Sequence, residues 1–251
     1  MLESKSAICR GEEEAKLIKE ELNICGYSKI DFRFPQDSID WFVNDILRRK
    51  SEEIEKHGED FLCSQGRFDI LRNLIRFDPH YLALIESDWL NNLVDGLLDK
   101  TAIIHDYFGL LNTVSKDQSL TRNNFHRDVP YLGRRVSIHV MIPLVNTCCE
   151  NGATQVVPGT HLFENHPSDI FCDKHSKGLE GEAGQVFVMD SSLIHKAGVN
   201  LLSAPRPMLV LRYQLAFLKR PIDLCQAHSE HLPSASELVN AAWVGIVEVS
   251  A

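Results

Sequence analysis

Apolar positions in the first hundred residues recur mainly at helical spacing. The pattern predicts helices over residues 12–23, 37–57 and 87–99. Gly26 follows the first of these segments, as expected for the residue that ends a helix. Asp37 and Ser87 begin the other two and are the expected N-caps. The N-terminal part is therefore predicted to be a helical scaffold.

After Lys100 the pattern changes to short apolar or alternating runs between turn signals. It predicts strands over residues 102–111, 135–142, 154–157, 185–189 and 207–218. Short strands after a helical segment favour a sandwich or jelly roll with helices on one face. We expect one domain over residues 1–251, with helices to about residue 100, a β core to about 220, and a C-terminal extension over 221–251.

Composition and charge limit the classes of partner. Hydrophobic residues make up 44% of the 251 residues and charged residues 24%, which is ordinary for a globular protein. The formal net charge of −9 disfavours nucleic acid and anionic membrane surfaces as partners. The composition leaves the oligomeric state open.

Cysteine usage and the first residues bear on the compartment. The seven cysteines are odd in number and scattered, and they form no CxxC pair. This spacing argues against both a disulfide framework and a structural zinc site. Residues 1–14 mix charges of both signs and have no apolar core, which argues against a secretory signal. We therefore expect a cytoplasmic protein with reduced thiols.

The first chemical signal is the string FHRD at residues 125–128. On an extended strand His126 and Asp128 project from the same face, so an imidazole nitrogen and a carboxylate oxygen can approach one point. His195, which follows a β run and a tight turn, is the best candidate for a third ligand. Two histidines and one carboxylate on one side of a metal leave its other positions open, as in non-haem iron(II) oxygenases. A lone HxD also occurs often by chance, so the spacing alone does not decide the matter.

The surrounding strings change this balance. Between about residues 104 and 221 the chain resembles the phytanoyl-CoA dioxygenase family in FHRD at 125–128, ENGATQVVPGTH at 150–161, GQVFVMD at 184–190 and IHKAGVN at 194–200. The resemblance implies a double-stranded β-helix, which is a cupin-like jelly roll. It also implies an iron(II)-dependent oxygenase that uses 2-oxoglutarate and dioxygen as cosubstrates and releases succinate and CO2.

The resemblance assigns roles to individual residues. His126, Asp128 and His195 match the iron ligands of the family. Arg206, eleven positions after the last ligand, matches the arginine that pairs with the distal carboxylate of 2-oxoglutarate, and Asn112 falls near a position that contacts the same cosubstrate. Where many members carry a hydroxyl residue two positions after the second histidine ligand, this chain has alanine.

Three side chains keep alternatives open. Arg212 lies an even number of residues after Arg206, so a regular strand would show both on one face, and it is the rival partner for 2-oxoglutarate. His139 either contacts substrate inside the barrel or lies on a half-exposed strand face. His161, in the PGTH string, is expected to cap a turn or contact backbone and not to bind metal.

The resemblance implies hydroxylation or another oxidation of an unactivated C–H bond in a small organic molecule such as a natural-product intermediate, and several other functions compete with it. They are an acyl-CoA hydroxylase, a binding protein of the same fold without turnover, and a zinc-dependent hydrolase that uses the same ligands. A halogenase of this superfamily would carry a small residue in place of Asp128. The absence of a GxSxG string argues against a hydrolase with an elbow-borne serine nucleophile.

Overall fold

The computed structural model describes residues 12–98, 101–113 and 124–218. The α-helices are α1 Glu12–Ile24, α2 Gln36–His57, α3 Glu59–Ser64, α4 Pro79–Ile85, α5 Asp88–Leu97 and α6 Asp169–His175. The strands are β1 Tyr27–Arg33, β2 Ile70–Arg72, β3 Ala102–Leu110, β4 Ser137–Pro143, β5 Gln155–Val156, β6 Lys177–Gly178, β7 Gln185–Asp190, β8 His195–Lys196 and β9 Met208–Leu215. Short 3₁₀ helices cover Leu74–Arg76, Thr160–Leu162 and Ala216–Leu218.

The strands form two antiparallel sheets. The large sheet has the order β1-β7-β4-β9-β3-β2, and the small one has the order β6-β5-β8. The prediction of a mainly β protein with flanking helices is confirmed. The central strand β4 is buried along its whole length, because neither of its faces meets solvent.

The two faces of the large sheet pack against different partners. Alternate residues such as Ile138, Val140 and Leu211 join a large cluster with the apolar faces of the N-terminal helices. The opposite face contributes Met141 and Val210 to a smaller cluster, the inner cluster, which also includes Val156 of the short sheet. Burial of each such aliphatic side chain stabilises the fold by about 1.5–3 kcal/mol.

Helix boundaries agree with the pattern, but one predicted cap is wrong. Asp37 does not cap α2, because the N-cap residue is Pro35 and Asp37 lies within the first turn. Ser87 does occupy the N-cap position of α5, although its hydroxyl donates to the carbonyl of Leu84 and accepts no hydrogen bond from the amides of the first turn.

The N-terminal part also contributes strands that the pattern did not predict. β1 and β2 form the two edges of the large sheet, and β1 pairs with β7 next to the functional strings. The predicted strand over 207–218 ends earlier, at Leu215, and continues as a 3₁₀ helix. The expected extension over 221–251 lies outside the described residues. Within the described part of the chain, no helix is long and apolar enough to cross a membrane.

Candidate metal centre

The backbone brings the two ligand segments side by side. His126 and His195 form an isolated antiparallel bridge, in which each amide donates to the other residue's carbonyl at 3.0 Å. Next to this bridge, the amide of Asp128 donates to the carbonyl of Ser191 at 3.0 Å. Segments separated by about seventy positions in sequence are thus joined by backbone hydrogen bonds, which fix the relative positions of all three predicted ligands.

The three side chains converge. His126, Asp128 and His195 each offer one ligand atom, and these atoms lie within 4.8 Å of one another. The Nε2 atoms of His126 and His195 are 3.7 Å from Oδ1 and Oδ2 of Asp128, respectively. His195 is buried, whereas the Asp128 side chain keeps 30% of its surface exposed. The cluster is therefore open to a small molecule on one side.

Hydrogen bonds orient both imidazoles. Nδ1 of His126 lies 2.8 Å from the carbonyl of Asn124, and Nδ1 of His195 lies 2.9 Å from the carbonyl of Leu193. Because a carbonyl only accepts, each Nδ1 carries the hydrogen. Each Nε2 then has a lone pair directed toward the carboxylate. This orientation by a second partner is typical of histidines that bind metals.

The electrostatics suit a cation. Burial alone would raise the pKa of Asp128, but the hydrogen bond from His139 and the positive charge of Arg212 hold it well below its usual range. Burial lowers the pKa of His195 to about 4, and the Asp128 charge opposes this shift only in part. At neutral pH the site therefore presents one carboxylate and a neutral His195 imidazole, which are the forms that bind a metal.

The donor set fits iron(II). Two imidazole nitrogens and one carboxylate oxygen on one side match the facial arrangement of non-haem iron oxygenases, and a structural zinc site would instead be closed by a fourth protein ligand. The metal cluster found among the described residues consists of the three predicted side chains.

Arg127, between the two ligands of the FHRD string, has a role that the sequence did not indicate. Its guanidinium donates to the carbonyls of Thr160, Phe163 and Glu164 at 3.0, 2.6 and 3.2 Å. It thereby ties residues 160–164, at the end of the PGTH string and just after it, to the segment that bears the first two ligands. His161, in that string, is nearly buried with Nε2 3.2 Å from the carbonyl of Asn23, so it contacts backbone as expected.

The two candidate arginines differ in their surroundings. Arg206 is only 1% exposed and lies two residues before Met208, whose Sδ is 3.8 Å from Nη1. Arg212 is partly exposed, and its guanidinium donates to the hydroxyl of Ser137 at 3.4 Å and to the carbonyl of Asp128 at 3.3 Å. Arg212 is thus engaged beside the metal cluster, whereas Arg206 is enclosed near the start of β9.

Asn112 is buried with a left-handed backbone φ of 40°. Its side-chain Nδ2 donates to the carbonyls of Gly152 and Gly198 at 3.0 and 3.1 Å. Its backbone carbonyl accepts a hydrogen bond from Nδ2 of Asn200. These contacts join the end of β3 to the loop before β5 and to the loop after β8. The amide nitrogen is therefore occupied by the protein, and a contact of Asn112 with 2-oxoglutarate would have to use Oδ1.

His139 lies inside the barrel and not on a half-exposed face. It is 4% exposed, and its Nε2 lies 3.1 Å from Oδ2 of Asp128. The alternation along β4 had left both of these surroundings open. The local pattern also could not show that the segment carrying Asp128 lies against the face of β4 that carries His139.

Comparison with known proteins agrees with this geometry. The model of the family described as phytanoyl-CoA dioxygenase (PhyH) matches residues 25–208. The chain belongs to this family. The match includes all three residues of the metal cluster, Arg206 and strand β1, so the family region begins well before the β core that the pattern delimited.

Relatives and solved structures extend the comparison. "Uncharacterized protein Rv1501" of Mycobacterium tuberculosis (strain ATCC 25618 / H37Rv) is 27% identical over 215 residues, which cover 84% of this chain and 79% of that protein. EctD from S. alaskensis, solved with bound Fe, is 16% identical with a TM-score of 0.64, covering 87% of this chain and 84% of EctD. The epimerase SnoN, solved in complex with Fe3+, alpha ketoglutarate and nogalamycin RO, is 15% identical with a TM-score of 0.61, covering 82% of this chain and 85% of SnoN. At these identities the likeness shows the fold, and the predicted jelly roll of the phytanoyl-CoA dioxygenase family is confirmed.

Proposed function

We propose that this protein is an iron(II)- and 2-oxoglutarate-dependent oxygenase that oxidises a C–H bond of a small organic molecule. In the hydroxylation form of this reaction, substrate, 2-oxoglutarate and dioxygen give hydroxylated substrate, succinate and CO2. The observation that carries the proposal is the convergence of His126, Asp128 and His195 on one point with an open side. The comparison proteins solved with iron and alpha ketoglutarate support the choice of metal and cosubstrate.

In this proposal each side chain has a defined task. His126 and His195 offer Nε2 to the iron, because their Nδ1 hydrogens are held by backbone carbonyls. Asp128 provides the anionic ligand, and Arg206 holds the distal carboxylate of 2-oxoglutarate, since a guanidinium can bind a carboxylate through two parallel hydrogen bonds. When bound, iron and 2-oxoglutarate supply the oxygen-activating chemistry, which protein side chains lack.

The apolar inner cluster supports the same proposal. Met141, Phe187, Met189 and Val210 are buried on β4, β7 and β9, on the sheet face that also carries His139. Such a lining keeps water away from the base of the site, which favours reaction with the bound substrate over side reactions with solvent.

The proposal is tested by the cosubstrates consumed. With iron(II) and dioxygen, the protein should convert 2-oxoglutarate to succinate slowly without substrate and faster with a suitable small molecule. Succinate is measured by chromatography, with zinc(II) in place of iron(II) and nitrogen in place of air as controls. A protein that binds ligands without turnover would form no succinate, and a zinc hydrolase would act on its substrate without dioxygen; either result would contradict the proposal.

A further inference from the structure

His139 contacts the carboxylate of the metal cluster more closely than either histidine ligand does. Its Nε2 is 3.1 Å from Oδ2 of Asp128, whereas the nearest approaches of the His126 and His195 imidazoles to this carboxylate are 3.7 Å. Because an ionised carboxylate only accepts, the Nε2–H of His139 is the donor. The first of these distances is that of a hydrogen bond, and the other two leave room for an ion between the groups.

The far side of the same imidazole is also held. Nδ1 of His139 lies 3.2 Å from the hydroxyl of Ser191, which donates to the hydroxyl of Ser137 at 2.8 Å. Ser137 in turn donates to the backbone carbonyl of Tyr213 at 2.8 Å. This buried chain therefore holds the Ser191 hydroxyl against the Nδ1 side of the ring.

The same turn holds the backbone of the ligand. The carbonyl of Ser191 accepts from the amides of Asp128 and Val129 at 3.0 and 3.1 Å. Ser191 thus contacts both the main chain of Asp128 and the ring that contacts its side chain. A carboxylate that keeps 30% of its surface exposed would otherwise rotate among several conformers.

We propose that His139 is a positioning residue, which directs the Asp128 carboxylate toward the metal and does not contact substrate. This inference rests on the proposed function, since it assumes that His126, Asp128 and His195 hold iron. Residues that orient metal ligands through hydrogen bonds commonly affect metal affinity by 10–100-fold. Comparable effects are expected here, since the ring is buried and fixed.

The test measures metal affinity in the full chain without turnover. Cobalt(II), whose visible absorption reports ligand geometry, is titrated under nitrogen into wild type, His139→Leu, His139→Gln and His139→Asn. The leucine variant lacks the donor, and we expect it to bind cobalt about 10–100-fold more weakly with an altered absorption spectrum. The amide of the glutamine variant reaches the position of Nε2, so it should restore most of the affinity and the wild-type spectrum.

The asparagine variant and a second histidine serve as controls. The asparagine amide approximates Nδ1 but is too short to reach Asp128, so His139→Asn should bind cobalt as weakly as His139→Leu. His161→Leu also removes a nearly buried imidazole, but one that contacts the carbonyl of Asn23 and not the cluster, so its cobalt affinity should be unchanged. Circular dichroism verifies that each variant is folded.

The outcomes separate this inference from the proposed function. Wild-type protein that binds cobalt, together with glutamine and asparagine variants of equal affinity, would overturn the positioning role and leave the proposed function intact. This comparison holds even if the leucine variant does not fold. Wild-type protein that binds neither cobalt nor iron would overturn both.

Discussion

Replacement of Asp128 by alanine is expected to abolish the conversion of 2-oxoglutarate to succinate. The substitution removes the one anionic side chain of the metal cluster and leaves two neutral imidazoles. The loss should exceed about 100-fold, because removal of a mere outer partner of a metal ligand already costs 10–100-fold. Asp128→Glu keeps the charge on a longer arm and should retain a small fraction of the activity.

Asp128→Asn separates a metal ligand from a structural carboxylate. The amide oxygen can still accept the hydrogen bond of His139, whose Nε2 lies 3.1 Å from Oδ2 in the native protein. If Asp128 only held the end of this segment by hydrogen bonding, the asparagine variant would form succinate at nearly the wild-type rate. If Asp128 is instead a metal ligand, the asparagine variant should be almost inactive. Melting temperatures recorded in parallel verify that the variants are folded, and full activity of a folded alanine variant would exclude the carboxylate from the metal site.

Removal of the Arg206 guanidinium should raise the 2-oxoglutarate requirement without changing iron affinity. Hydrogen bonds to charged groups contribute about 1.5–3 kcal/mol, which corresponds to a roughly 10- to 150-fold higher half-saturating concentration. Because Arg206 is 1% exposed, Arg206→Ala also leaves a cavity, and Arg206→Met therefore serves as a variant of similar volume.

Arg212→Ala is the matched control. Its guanidinium donates to Ser137 and to the carbonyl of Asp128, so we expect a smaller effect on the 2-oxoglutarate requirement. Iron binding and 2-oxoglutarate dependence are measured separately for both arginine variants. If Arg212→Ala raises the 2-oxoglutarate requirement more than Arg206→Ala does, Arg212 and not Arg206 holds the distal carboxylate of 2-oxoglutarate.

The fold class followed from local patterns because long helices and buried strands have strong periodicity. Strand β1 was missed although its burial alternates, with Ser28 and Ile30 buried and the side chains of Lys29 and Asp31 exposed. In sequence this alternation is weak, because serine does not appear as a core residue. The pattern also missed β2, β6 and β8, which have two or three residues each and are too short for a period to be seen.

The candidate site was predicted unevenly for a related reason. The spacing of His126 and Asp128 in FHRD is local, so their shared face could be inferred from the strand period. The contact between His139 and Asp128 could not be inferred from the local pattern, because it depends on the pairing of β4 with β7 and on the turn at Ser191. Arg127 was missed for the same reason, since the carbonyls that it binds lie more than thirty residues further along the chain.

The most direct test of the account is the absorption spectrum of the anaerobic protein with iron(II) and 2-oxoglutarate. If His126, Asp128 and His195 hold iron with adjacent positions open, the keto and carboxylate oxygens of 2-oxoglutarate can bind it together. This should produce a weak metal-to-ligand charge-transfer band in the visible, with one equivalent of iron at saturation. A protein that binds both iron(II) and 2-oxoglutarate but shows no such band would contradict chelation at this site.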